Sequence, residues 1–287
     1  ELNLSYCCSL YYKIGENKMN VSSLCILGCG NIGSAIARGL EKSGHFSSGN
    51  IILTQRKVQS LEKFKKVGFL TTDKNGEAIK KSGIIIIAVG PSQLMPLLDE
   101  ISSYLNNKHL IISIVSGVEI KAIQEKVGSE IPIVRAMPNT AASLCESMTC
   151  LSTVAGFDKE LEIAKSLFDM IGKTLIINEE QMPSATALGA CGVAFFLRAI
   201  RAASQGGIEI GFHSDEAFTI AAQTARGAAT LLLNNDAHPE SEIDRVTTPM
   251  GATIAGLNEM EHQGFSSAMI KGITTSTEKV SKLYSKD

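Results

Sequence analysis

Between Leu24 and Met137 the chain repeats one pattern. A short, wholly apolar run is followed by a turn of Gly or polar residues, then by a segment whose apolar residues fall at helical spacing. The apolar runs begin with "SLCILG" at Ser23 and continue with "NIILTQR" at Asn50, "GIIIIAVG" at Gly83, "HLIISIVSG" at His109 and "IPIVRAMPNT" at Ile131. Strands apolar at every position are covered on both faces, as in a parallel sheet flanked by helices. The intervening helices are "NIGSAIARGLEKSG" (apolar at Ile32, Ala35, Ile36 and Leu40), "VQSLEKFKKVG" closed by Gly68, "PSQLMPLLDEISSYL" with Pro91 at its start, and "EIKAIQEKVG". "FLTTDKNGEAIKKSG" holds a short strand and a short helix. This alternation predicts an α/β domain with a doubly wound, mostly parallel sheet.

After about Met182 the strand-like runs stop and long Ala- and Gly-rich helical stretches take over, with Ser214 as an N-cap. The chain is therefore expected to divide into a coenzyme-binding domain over residues 19–180 and an all-α domain over 181–287. Small apolar positions in the second part suit close helix packing, either within the chain or in an intertwined homodimer. The first eighteen residues, "ELNLSYCCSLYYKIGENK", hold three of the five Tyr and lack the charged start and apolar core of a signal peptide. Residues 1–18 are expected to be a leader or non-native extension without fixed structure.

Composition excludes several classes. A net charge of −2 leaves no electrostatic footprint for nucleic acid or an anionic membrane. The absence of Trp, with 5% aromatic residues, disfavours stacking on bases or sugars. No uninterrupted apolar run approaches the roughly 20 residues of a membrane helix. The seven Cys are odd in number and form no C-x-x-C pair, so free thiols, a cytoplasmic location and no metal centre are expected.

The first turn reads Gly28-Cys29-Gly30-Asn31-Ile32-Gly33, a G-x-G-x-x-G pattern that follows a strand and opens a helix. In this setting Gly28 permits the tight turn, Gly30 lets the backbone approach a pyrophosphate, and Gly33 lets the helix sit close to the strand. The helix N-terminus offers unpaired N–H groups to the phosphates. An NAD site asks for an acidic residue about 20 residues further on. Here the second strand ends Leu53-Thr54-Gln55-Arg56-Lys57, which offers a hydroxyl, an amide and two cations and so suits a 2′-phosphate. NADPH is the expected coenzyme, with NADH as the alternative, and Arg56 is expected to pair with the phosphate or stack on adenine. Ala88, Val89, Gly90 and Pro91, then Ile114, Val115 and Ser116, then Asn139, end further strands on the same edge. Plain turns also call for Gly, Pro and Asn, but three such turns on one edge favour binding, with Asn139 a candidate partner for the nicotinamide.

Two further stretches are more specific: "RAMPNTAA" and "HPESEIDRVTTPMGATIAGLNEMEHQGF". With the glycine turn and the helical second half, they make the chain resemble the pyrroline-5-carboxylate reductases from about Ser23 onward. The strongest marks are Met137-Pro138-Asn139-Thr140, His238-Pro239 and Val246 to Gly256. The resemblance implies a Rossmann domain followed by an all-α C-terminal dimerisation domain, with dimers often assembled into larger oligomers. It also implies reduction of the cyclic imine Δ1-pyrroline-5-carboxylate to L-proline with NADPH. On this sequence it assigns the pyrophosphate to Gly28–Ser34, the adenosine end to Gln55 and Arg56, and a coenzyme contact to Asn75. The turns Ala88–Pro91 and Ile114–Ser116 complete that site. The substrate side falls on "DAHP" and "VTTPMGAT".

Hydride transfer to an imine carbon needs no nucleophile. It needs two rings held face to face, a proton for the nitrogen and a seat for one carboxylate. Thr247, Thr248, Met250, Gly251, Ala252 and Thr253 open a helix whose N–H groups suit that anion. The Thr253 hydroxyl is the expected partner of the ring nitrogen, and Thr248 supports the carboxylate or the nitrogen. The resemblance puts Asp236 at the family's acidic loop position, where it is expected to stabilise a cationic imine. Thr-Thr-Pro is also a good helix start and Asp236 a good turn residue; His238, before Pro, is read as structural.

The resemblance breaks at Cys191–Phe195, where the family has a Ser-Gly-Pro-Ala-Tyr-like segment, at Gly90 in place of Lys, and at Met250 within the usual Pro-Gly-Gly. Two alternatives therefore stay open. One is a diverged oxidoreductase acting on another cyclic imine or on a keto or hydroxy acid, although the related hydroxyacid chemistries use a Lys and the helical half has none before Lys271. The other is a coenzyme-binding regulatory protein without catalysis.

Overall fold

The computed structural model describes residues 13–14, 17–18, 23–234 and 238–282. Within the N-terminal segment, Lys13–Ile14 pairs antiparallel with Asn17–Lys18; the rest of that segment lies outside the described residues. From Ser23 onward the expected alternation forms. Eight strands make one sheet: β1 Leu24–Leu27, β2 Ile51–Thr54, β3 Leu70–Thr72, β4 Ile84–Ile87, β5 Leu110–Ser113, β6 Ile133–Met137, β7 Ser147–Thr153 and β8 Gly172–Ile176. The order across the sheet is β8-β7-β6-β5-β4-β1-β2-β3. Strands β1 to β6 are parallel and follow the 3-2-1-4-5-6 order of a Rossmann sheet.

The helices on this sheet are α1 Asn31–Lys42, α2 Glu62–Lys65, α3 Asn75–Lys80, α4 Pro91–Ile101, α5 Ile120–Val127 and α6 Asp158–Asp169. Because side chains alternate along a strand, each all-apolar run feeds two cores. Leu24, Ile26, Ile84, Ile86 and Ile112 pack with α1 and α6, while Cys25, Leu27, Ile85, Ile87 and Ile111 pack with α3, α4 and α5. The segment "VQSLEKFKKVG" is a 3-10 turn, Val58–Leu61, followed by the single turn α2.

Strands β7 and β8 are not announced by the sequence pattern. β7 runs antiparallel to β6 and parallel to β8. It buries Ser147, Thr149 and Ser152 among its apolar residues, and β8 leaves Leu175 and Ile176 exposed at the sheet edge. Neither strand therefore shows a clean apolar run.

The chain divides into two compact units, one of residues up to Ala190 together with those from Thr277, the other Cys191–Ser276. From Met182 onward the chain forms α7 Met182–Ala185, a π-helical turn Thr186–Cys191, α8 Gly192–Glu209, α9 Ser214–Asn234, α10 Pro239–Arg245, α11 Ala252–His262 and α12 Phe265–Lys282. Helices α8 and α9 meet where Gly207 lacks a side chain: a Cβ there would stand 2.9 Å from the Ala217 methyl. Much of the second unit's apolar surface is uncovered, including Phe196, Leu197, Ile210, Phe218 and Ile270. One continuous helix, Glu179–Glu209, is long and apolar enough by length and composition to cross a membrane. This corrects the expectation drawn from uninterrupted runs, because Gly, Ser and two Arg interrupt a stretch whose mean hydropathy is nonetheless high.

Candidate active site

At the carboxyl ends of β1, β2 and β4, where the strand order reverses, lies a cleft of about 970 Å3. Ligands of open α/β sheets bind at this point, and the size falls within that of cofactor sites. The glycine turn forms one wall. Gly28 has φ +93°, and a Cβ on it would stand 2.8 Å from the Ala88 carbonyl oxygen. A Cβ on Gly33 would strike the Gly28 carbonyl. Both glycines are thus demanded by the protein itself. Gly30 is not: its backbone is extended at φ −77°, and a Cβ there would meet nothing within 4 Å. The open space over its backbone is what a group laid against the chain from outside requires. Gly30 also caps α1, whose first turn carries no acidic residue, so the helix keeps its positive end. Cys29 sits in the same turn. Burial pushes its thiol above the ordinary range, and its Sγ lies 3.3 Å from Ser34 Oγ.

The end of the cleft expected to take the adenosine is built from β2, α3 and α4. Gln55, Arg56, Lys57, Ser60 and Asn75 line the cleft. Ser60 Oγ donates to Gln55 Oε1 at 2.9 Å. Asn75 opens α3; its Oδ1 accepts from the buried Thr54 hydroxyl at 2.6 Å and its Nδ2 donates to Glu100 Oε1 at 3.0 Å. Gly90 caps α4, and the cleft-lining residues Gln93, Pro96, Leu97 and Glu100 recur at helical spacing on one face of that helix. That spacing is the sequence signal by which Glu100 is recognisable. The acid missing after β2 thus enters the cleft from another element. Asn31 lines a smaller neighbouring cavity, about 420 Å3, together with Ser34, Arg38 and Lys63.

Eight expected coenzyme residues do not line this cleft: Asn31, Ile32, Gly33, Pro91, Ile114, Val115, Ser116 and Asn139. Ile32 packs against the core, and Pro91 is the first residue of α4. Ile114 and Val115 are buried. Asn139 is buried with its amide engaged: Oδ1 accepts from the Ala141 N–H at 3.0 Å, and Nδ2 donates to the Gly189 carbonyl at 3.1 Å. Its side chain ties the turn after β6 to the π-helical turn.

In the second unit, His238 caps α10, its Nδ1 accepting from the Glu240 N–H at 3.3 Å. The Thr247 hydroxyl bonds back to the Ile243 carbonyl at 2.7 Å, ending that helix. Thr248-Pro249-Met250-Gly251 is a turn closed by Gly251 N–H to Thr248 O at 2.9 Å, with Met250 at φ +60°. Pro second and a left-handed third residue is the type II pattern, which asks for Gly where Met250 stands. The Met250 side chain is 102% exposed. Gly251 then caps α11, with Ala252 and Thr253 as its first residues and no acidic residue in its first turn. The loop therefore presents the exposed Thr248 and Thr253 beside a free helix N-terminus. Asp236 lies outside the described residues.

The family model described as pyrroline-5-carboxylate reductase dimerisation matches residues 179–283, and one described as NADP oxidoreductase coenzyme F420-dependent matches residues 23–117. The chain is 53% identical over 93% of its length to pyrroline-5-carboxylate reductase 1 of Dictyostelium discoideum, of which it spans 51%. It is 50% identical to pyrroline-5-carboxylate reductase 2 of the same organism, covering 94% of this chain and 95% of that one. Among solved structures, a pyrroline carboxylate reductase of Plasmodium falciparum with NADP bound superposes with a TM-score of 0.83 at 26% identity, covering 92% of this chain and 98% of that one. A 3-hydroxyisobutyrate dehydrogenase of Mycobacterium tuberculosis, 13% identical with a TM-score of 0.51, shares the fold alone. The glycine cleft, the helical second half and these relatives agree, and the chain belongs to the pyrroline-5-carboxylate reductase family.

Proposed function

We propose that the chain reduces Δ1-pyrroline-5-carboxylate to L-proline, with NADPH as the preferred coenzyme over NADH. The observation that carries this reading is the cleft over Gly30, open where a side chain would close it, in a chain half identical to reductases of that name. When bound, the coenzyme supplies a hydride to the imine carbon. The residues do the rest. Gly28, Gly30, Asn31 and Gly33 seat the pyrophosphate at the α1 N-terminus. Gln55, Arg56 and Asn75 hold the adenosine end. Ala88–Pro91 and Ile114–Ser116 shape the nicotinamide end, and Asn139, its own amide engaged, supports that end through the turn after β6. Thr247, Thr248, Met250, Gly251 and Ala252 bound the seat of the carboxylate, and the Thr253 hydroxyl holds the ring nitrogen as it takes its proton. Asp236 stabilises the cationic imine. In this reading residues 19–180 serve the coenzyme, and residues 181–287 serve substrate and assembly.

The uncovered apolar face of the second unit and the dimerisation model support a homodimer through the helices, with dimers joining further. The apolar helix that begins at Glu179 contributes to that face from Cys191 onward and does not enter a membrane. Its first residue is paired with Arg135, buried in the sheet. The reading places the enzyme in the cytoplasm. Following nicotinamide absorbance with NADPH and the imine tests it. Oxidation is expected with the wild type, and Thr253→Ala should lower kcat on the order of 10²-fold. A wild type that leaves NADPH untouched would overturn the proposal.

A further inference from the structure

We propose that Glu100 is a positioning residue for the coenzyme: it fixes the Asn75 amide so that one donor N–H is left for the adenosine end of the cleft. The inference rests on the coenzyme reading above. An Asn side chain turned over end for end occupies nearly the same space, so its partners decide which end faces where. Asn75 has two: Thr54 Oγ1 at 2.6 Å and Glu100 Oε1 at 3.0 Å. A hydroxyl serves as donor or acceptor and so accepts either orientation. An ionised carboxylate only accepts, so Glu100 must face the NH2 end. The Asn75 oxygen then faces Thr54, whose one hydrogen is spent on it. The second hydrogen on Nδ2 has no partner among the described residues, and Asn75 lines the cleft beside Gln55, Arg56 and Lys57. A ribose hydroxyl or a phosphate oxygen is the acceptor that such a donor suits.

The backbone cannot compensate for a turned amide. Asn75 is the first residue of α3, and the next residue, Gly76, lies flat against the Tyr104 ring, where a Cβ would stand 2.5 Å from an aromatic carbon. Without Glu100 the amide is free to turn its oxygen toward the cleft, where it repels phosphate. Glu100 also brings a negative charge into the same cleft, and charge alone would oppose a 2′-phosphate. The two roles therefore predict changes of opposite sign.

The test is equilibrium binding of NADPH and NADH to the full chain, read by the fluorescence of the reduced nicotinamide in a protein without Trp. Glu100 is exposed, so Glu100→Met and Glu100→Gln should fold, and melting curves check that they do. Glu100→Met removes the acceptor and should weaken NADPH binding by about tenfold, the size of one hydrogen bond to a charged or polar partner. Glu100→Gln keeps an acceptor oxygen and should stay within about threefold of wild type. With the imine present, kcat at saturating coenzyme should be unchanged in both. In an Asn75→Ala background Glu100→Met should add no further loss. Tighter NADPH binding by both variants would show that charge is the whole effect and overturn the inference. An independent loss in the Asn75→Ala background, or wild-type affinity in Glu100→Met, would overturn it too. A wild type that binds neither coenzyme would instead overturn the reading on which it rests.

Discussion

Arg56 and Lys57 follow the end of β2 on exposed backbone, at the mouth of the cleft that Gln55 and Asn75 line. A guanidinium there gains most from a doubly charged phosphate and little from a hydroxyl. Arg56→Ala is expected to weaken NADPH binding by about tenfold while leaving NADH within about twofold, in the same fluorescence titration. Equal losses for both coenzymes would assign Arg56 to adenine stacking instead. At Met250 the expected effect concerns stability. A side chain in the left-handed region costs about 1 kcal/mol, so Met250→Gly should raise the unfolding free energy from urea titration by about that amount, and a lower value would mean that the thioether is held by contacts. The glycine turn was legible at this scale because strand, spacing and helix all point the same way. Gly28 and Gly33 are glycines for packing, Gly30 for access. Glu100 stands in no fixed spacing to the glycine turn or to β2, 25 residues beyond its partner Asn75, and only the period of α4 points it toward the cleft. Asn139 shows the reverse: a polar residue at a strand end reads as a ligand, yet its amide is engaged within the fold.

Among the elements, β1 to β6 follow from their apolar runs, whereas β7 and β8 do not, because buried hydroxyls and an exposed edge blur their period. Arg135 is a charge inside the apolar run "IPIVRAM", visible as an oddity in sequence. Its partner Glu179, 44 residues on, is found only in the fold: Nη1 donates to Glu179 Oε1 at 3.0 Å, which also accepts from the Ile120 N–H at 2.7 Å. The pair joins β6, the α5 N-terminus and the start of the long helix. Glu179→Ala leaves the Arg135 charge buried and should cost about 3 kcal/mol in urea unfolding, while Arg135→Met with Glu179→Leu should recover most of it. A single-variant cost below about 1 kcal/mol would show that water reaches the guanidinium. His109, just before β5, adds a pH dependence. Burial lowers its pKa below the ordinary value, so the unfolded chain binds the proton more readily. Stability is full above about pH 6.5 and falls as pH drops through the lower folded value. His109→Gln should flatten that acid limb, and an unchanged limb would place its origin elsewhere.

For the whole molecule, the change from strand-like to helical composition after Met182 is plain in sequence, as is the wealth of small residues. The extent of uncovered apolar surface on the second unit is not, because periodicity shows that a face is apolar without showing what covers it. Sedimentation should find a dimer or larger species, and Phe218→Glu with Ile270→Glu should shift it toward monomer; a monomeric wild type would leave that surface to another partner. In the proposed reaction this chain moves a hydride from its coenzyme to a cyclic imine acid. Mass analysis of proline formed with NADPH carrying deuterium at both nicotinamide C4 positions reads that transfer. One deuterium per proline, carried on the former imine carbon, is the expected result; NADPH bound without any labelled proline would contradict it.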